Sequence, residues 1–253
     1  VSIFAIVVVF ILFGYLARVP DRRSYSLGAS VIALGAAAIG ANDVVRAVQA
    51  ELELLADELG MALVATAMAG HDIVALCAAG RPQPHGQSLT VGQRIPLVPP
   101  LGSVFLAWQT EEAVDAWLAR AVGATATELD NHRAVLAAVR ERGYSVGLDV
   151  EARRALGAVV ADSGATDSSR TEALLAELGH GAYQLADLDE GSSYEISMIA
   201  APVFDRFGRV ELAMTVVGFP GPVSAGELER IGERLRDAGR VVTKGARGQF
   251  PGT

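Results

Sequence analysis

Three arginines, Arg18, Arg22 and Arg23, lie on and beside a turn near the N-terminus. Guanidinium clusters of this kind bind phosphate oxygens through charge-assisted, often bidentate hydrogen bonds. Asp21 stands among them, so the cluster offers at most three phosphate contacts per chain, where specific DNA binders commonly make about 6–10. The other side chains capable of chemistry are scattered. The four histidines, His71, His85, His132 and His180, fall in turns, a loop and an apparent helix without metal-ligand spacing. No Gly-x-Ser-x-Gly elbow occurs, and Ser103 lacks both the paired flanking glycines of such an elbow and a histidine partner. Cys77, the only cysteine, lies in the apolar run 73–78 and reads as core. A lone cysteine excludes an internal disulfide and fits a reducing compartment, the cytoplasm. Neither catalysis nor a metal or cofactor is expected.

Around the arginines, a strand at 15–19, a basic turn at 20–23 and a returning strand at 24–27 make a hairpin. A helix of small residues follows at 29–39. That order is what the wing of a winged helix-turn-helix looks like when it feeds a linker helix. The segment 1–17 is almost wholly apolar and admits two readings. It is close to the roughly 17–25 apolar residues that span a bilayer, with arginines after it as a cytoplasmic flank. Alternatively it is a helix stopped at Gly14 that leads into the wing, and this second reading is preferred. Residues 1–13 offer only Ser2 for reading base edges. Weak or lost sequence-specific DNA binding is therefore expected, together with truncation at the N-terminus.

Beyond the hairpin the patterning is clearer. A capped helix is predicted over 42–60, with Val44, Val45, Val48, Leu52, Leu55 and Leu59 at helical spacing. Runs at 61–68 and 73–78 read as a hairpin, and 87–91 as a strand. Helices follow at 103–108, 110–121 and 128–142, then a strand at 144–150. Residues 151–191 read as an insertion with helical stretches at 151–160 and 170–178. Strands at 194–204 and 209–219 flank the turn 205–208, and a last helix opens at Ser224 with capping-box spacing to Glu227. The tail 244–253 is Gly-rich, basic and expected to be disordered. Strands in antiparallel pairs with helices between them predict an α+β domain, one antiparallel sheet flanked by helices. A hydrophobic fraction of 51% supports a large core, and a net charge of -8 argues against a body coated for nucleic acid.

Four motifs carry a resemblance to the IclR family of bacterial transcription regulators. They are Gly14-Tyr15-Leu16 with Tyr25-Ser26-Leu27-Gly28; Gly92-x-Arg94-x-Pro96-Leu97; Arg140-Glu141-Arg142-Gly143-Tyr144-Ser145-Val146; and Ile199-Ala200-Ala201-Pro202-Val203-Phe204-Asp205 with Gly208-Arg209-Val210. The resemblance implies a partial winged helix-turn-helix over 1–28, a linker helix over 29–41 and a GAF-like effector-binding domain over 42–243. It also implies a homodimer or homotetramer that binds DNA and responds to a small-molecule effector; a membrane partner is not expected. A membrane-anchored sensory domain using 1–17 is the alternative.

The resemblance places the effector at the sheet face and at the turn containing Gly102 and Ser103. Pro99 and Pro100 remove two backbone donors there, which weakens carboxylate capture and points to a larger or less charged ligand. Ile196 and Met198 on one strand, and Thr215 and Val217 on its neighbour, are read either as pocket wall or as plain core, with Thr215 the better polar candidate. Asp149 is the acidic match, with Asp187 and Asp189 as rivals.

Overall fold

The computed structural model describes residues 3–20, 22, 24–81, 89–121, 123–148 and 184–251. The chain divides into two compact units, Val1–Arg46 and Ala47–Thr253.

In the first unit, helix α1 (Ile3–Leu12) precedes a hairpin of β1 (Leu16–Arg18) and β2 (Tyr25–Leu27), and helix α2 (Ala29–Ala41) follows. The hairpin pairs Leu16 with Leu27 and Arg18 with Tyr25. A Cβ on Gly28 would lie 2.1 Å from the Gly14 carbonyl oxygen, so the close approach that seats the hairpin demands glycine. Neither α1 nor α2 has a buried residue. Ile3, Phe4, Leu12, Phe13 and Ile32 are all at least 67% exposed, an apolar surface of a kind that rarely faces water in isolation. No single helix among the described residues is long and apolar enough to cross a membrane.

The second unit is built on a six-stranded antiparallel sheet in the order β5-β4-β3-β9-β8-β6. Its strands are β3 (Ala62–Ala69), β4 (Asp72–Ala79), β5 (Arg94–Pro96), β6 (Ser145–Leu148), β8 (Ile196–Phe204) and β9 (Val210–Val217). A separate pair joins β7 (Ser193–Tyr194) to β10 (Val223–Ser224). On one face lie α3 (Asp43–Leu59), most of which belongs to this unit, and the final helix α7 (Ala225–Gly245). Leu52, Leu55, Leu228 and Leu235 are completely buried. Arg234 of α7 ties the two helices together by chelating Glu58 at 2.8–3.0 Å. A Cβ at Gly239 would stand 2.5 Å from the Pro202 carbonyl, so glycine lets α7 press onto β8.

The opposite face carries α4 (Ser103–Leu106), α5 (Glu111–Leu118) and α6 (Ala126–Arg142). Their buried Val104, Phe105, Trp117, Leu136 and Val139 form one cluster with Ile73, Ala200 and Ala213 of the sheet.

Several expectations need correction. The strand expected at 87–91 is absent from its described part, Leu89 to Val91; pairing starts at Gly92, whose N–H donates to the Ala75 carbonyl while the Gln93 carbonyl accepts from Ala75 N, and Gly92 turns the chain with φ 86°. The strand expected over 194–204 breaks at Glu195, because Tyr194 pairs with Val223 while Ile196 joins the main sheet. The described part of the expected tail, 244–251, is tied down: Gln249 N donates to the Asp205 carbonyl and Phe250 packs edge-on against Phe204. The capping box predicted at Ser224 is half made, since Ser224 accepts from Glu227 N but the Glu227 carboxylate grips Arg230. A complete box forms instead at Thr125 and Glu128. The helices expected at 151–160 and 170–178 lie outside the described residues, as does most of 151–191.

Candidate effector site

The turn from Leu97 to Ser103 is held from four directions. Leu97 N donates to the His71 carbonyl, and the Leu97 carbonyl accepts from Arg120 at 3.1 Å. The Pro100 carbonyl accepts from Gln184 Nε2 at 2.9 Å, and the Leu101 carbonyl from the Trp117 indole at 3.1 Å. Gly102 closes the turn at φ 87°, a left-handed conformation that costs a side-chain-bearing residue strain. Its missing Cβ would also lie 2.3 Å from Leu97 Cδ1.

Two buried polar atoms at this turn have no hydrogen-bond partner among the described residues: Ser103 Oγ and Gln184 Oε1. Ser103 is only 1% exposed. An unpaired buried hydroxyl or amide oxygen costs about 1–3 kcal/mol, so native folds seldom keep one without a reason. α4 packs against β8 and β9, which brings the hydroxyl over the sheet face that carries Ala200 and Ala213.

Register assigns the remaining candidates to faces. Met198 stands opposite Val217, and Ala200 opposite Thr215. Thr215 in turn faces Val64 on β3. Met198, Thr215 and Val217 therefore share the face of α4, with Gly102 and Ser103 above it. Ile196 does not. The β6–β8 register slips between Gly147 and Leu148, so Met198 opposes Gly147 and Ile196 opposes Leu148. Neighbouring residues of β6 point to opposite faces, and so must Ile196 and Met198. A bulge of this kind has no signature in alternation alone.

The acidic rivals Asp187 and Asp189 are both exposed. Asp189 is used locally, accepting from Ser192 Oγ at 2.7 Å and from Gly191 N, which lowers its pKa. Asp149 lies outside the described residues. The helix start at Gly102 is also a weak anion site, because α4 has four residues and so little aligned dipole. Among the described residues, no cluster of three His, Cys, Asp or Glu could hold a metal.

Two site-building residues escaped the sequence reading. Gln184 lies within the segment read as an insertion and belongs to no motif. Arg142, by contrast, stood within a quoted motif without a role. Its Nε donates to the Tyr144 carbonyl, and its two terminal nitrogens to Leu185 and Ala186 at 2.7 and 3.3 Å. With Leu185 N donating to Val146, this fork fixes the segment that presents Gln184. Burial pushes the Arg142 pKa below its usual range, while Tyr144 and Asp187 act in the other direction.

Arg18 and Arg22 are exposed, on β1 and in the turn of the hairpin. Arg23 lies outside the described residues.

A six-stranded antiparallel sheet with helices on both faces defines a GAF-like α+β domain. The chain matches the family described as Bacterial transcriptional regulator IclR C-terminal over residues 36–164 and 160–244, and it belongs to this family. Its second unit is accordingly an IclR-type effector-binding domain. The family is one of transcriptional regulators rather than enzymes. No curated protein matches the sequence. Among solved structures, an IclR transcriptional regulator from Alicyclobacillus acidocaldarius is 21% identical with a TM-score of 0.67, covering 96% of this chain and 84% of that one. The Thermotoga maritima IclR is 15% identical with a TM-score of 0.60, covering 96% and 84%. The C-terminal domain of E. coli KdgR is 21% identical with a TM-score of 0.51, covering 81% and 99%. At these identities the likeness is one of fold.

Proposed function

We propose that this chain is a cytoplasmic, ligand-responsive transcription regulator whose second unit holds a small-molecule effector against the α4 side of the sheet. Gly102, Ser103, Met198, Thr215 and Val217 form the site. The observation that carries this reading is the pinned 97–103 turn with two buried polar atoms left unpaired above Met198 and Thr215. A library of metabolites scanned by thermal denaturation tests it. At 100 times its Kd an effector stabilises the fold by about 2.7 kcal/mol, a rise of roughly 5–10 °C for a domain of this size. Thr215→Val, close in shape but without the hydroxyl, should shrink that rise. A library that shifts wild type and variant equally contradicts the site.

The exposed apolar residues of α1 and α2 support assembly into a homodimer or homotetramer, in which such surface is covered. Light scattering should then give two or four times 26.4 kDa. Arg18, Arg22 and Arg23 would touch phosphate and support only weak DNA binding. Affinity for a duplex should fall with salt at a log–log slope no steeper than about −3 per chain. A steeper slope with nanomolar, sequence-dependent binding contradicts that part of the proposal.

A further inference from the structure

We infer that the effector is uncharged, with an apolar body and at least one hydrogen-bond donor, a hydroxyl or an amide N–H, received by Gln184 Oε1 and Ser103 Oγ. The inference rests on the effector reading above and adds the ligand chemistry and a residue, Gln184, to it.

The orientation of the Gln184 amide is settled by its neighbour. The Pro100 carbonyl can only accept, so the NH2 end must face it, at 2.9 Å, and the open atom is the oxygen. An amide oxygen accepts and never donates. A carboxylate presented to it would meet lone pairs with lone pairs. Ser103 Oγ can accept or donate, and so fits either end of an alcohol or an amide.

Among the described residues no arginine donates to either open oxygen: Arg120 donates to the Leu97 carbonyl, Arg140 to that of Ala107, and Arg142 to those of Tyr144, Leu185 and Ala186. Among the described residues no carboxylate is turned toward a cationic ligand either, because Asp187 and Asp189 are exposed. Apart from the Thr215 hydroxyl, the described residues beside the two oxygens are apolar: Leu101, Met198 and Val217. A lining that, among the described residues, offers acceptors and apolar walls without a charged group selects a neutral donor-bearing molecule.

Two matched sets of probes on the full chain test this. The first set is hexanamide, N,N-dimethylhexanamide and hexanoate; the second is benzyl alcohol, benzyl methyl ether and benzoate. Binding is read as NMR shift perturbation at Met198 and Thr215 and as a titrated Kd. Hexanamide and benzyl alcohol should bind at least ten-fold more tightly than their methylated and anionic counterparts. Gln184→Met should erase that preference, and Ser103→Ala should weaken the donor-bearing probes about ten-fold. Ser103→Ala removes an unpaired hydroxyl and so should leave the fold intact, which keeps the test readable if Gln184→Met is unstable. Hexanoate or benzoate binding more tightly at the same residues would overturn the ligand chemistry and leave the effector reading standing. Absence of any perturbation at Met198 and Thr215 would overturn both.

Discussion

Cys77 and His132 are two titratable side chains that the second unit buries, and each makes stability depend on pH in a definite direction. Burial pushes the Cys77 thiol from its usual value of 9.0 up to about 11. The folded state thus holds this proton more tightly than the unfolded one, so its contribution is intact below pH 9 and is lost as pH rises toward 11. At pH 8 roughly a thousandth of the thiol is ionised, and a disulfide reagent should label Cys77 far more slowly in the native chain than in the denatured one. His132 runs the other way. It is 8% exposed, stands 5.9 Å from the Trp117 ring, has an unpaired Nε2, and burial lowers its pKa although Glu128 opposes the shift. Its neutral form is the folded one, so stability is present above pH 6.5 and falls as the solution becomes more acid. His132→Phe should flatten the melting temperature between pH 6.5 and 5 and leave the fold at least as stable at pH 7.5. Of these residues the sequence shows Cys77 as core through its strand setting. It shows nothing of the unpaired atoms on Ser103 and Gln184, because an absent partner is a property of packing.

Among the elements, those with strong periodicity or caps were legible and those defined by a neighbour were not. The amphipathic pattern of α3 and the glycine stops at Gly60 and Gly143 are local signals, and the chain obeys them. β5 and β10 are short, and each exists only because β4 or β7 lies beside it. The bulge that turns Ile196 away from Met198 is likewise a fact about β6 and β8 together. The same distinction ranks the cost of mutations. Thr125→Ala removes a complete capping box and should cost about 1 kcal/mol in chemical denaturation. Leu235→Ala, at a fully buried position on α7, should cost about 2–5 kcal/mol. Arg234→Ala breaks partly exposed ion pairs to Glu51 and Glu58 and should cost no more than about 1 kcal/mol.

For the whole molecule, α1 and α2 bury none of their residues, whereas the second unit has a dense core. Removal of residues 1–41 should therefore leave a chain that unfolds in one cooperative transition and keeps its ligand response. Loss of either would show that the first 41 residues complete the effector unit. Family, fold class and the hairpin pairings could be read from the sequence because motifs and alternation are repeated over many residues. The ligand-facing atoms could not, because they meet only when residues as distant as Pro100 and Gln184 are brought together.

Hydrogen exchange on the full chain, with and without a ligand found in the thermal scan, locates the binding event most directly. Slowed exchange should concentrate in residues 97–106, 184–186, 196–200 and 213–217, with the hairpin at 16–27 and the α3–α7 face unchanged apart from a uniform gain in global stability. Protection centred on α3 and α7, or on the hairpin, would place the ligand elsewhere and contradict the account.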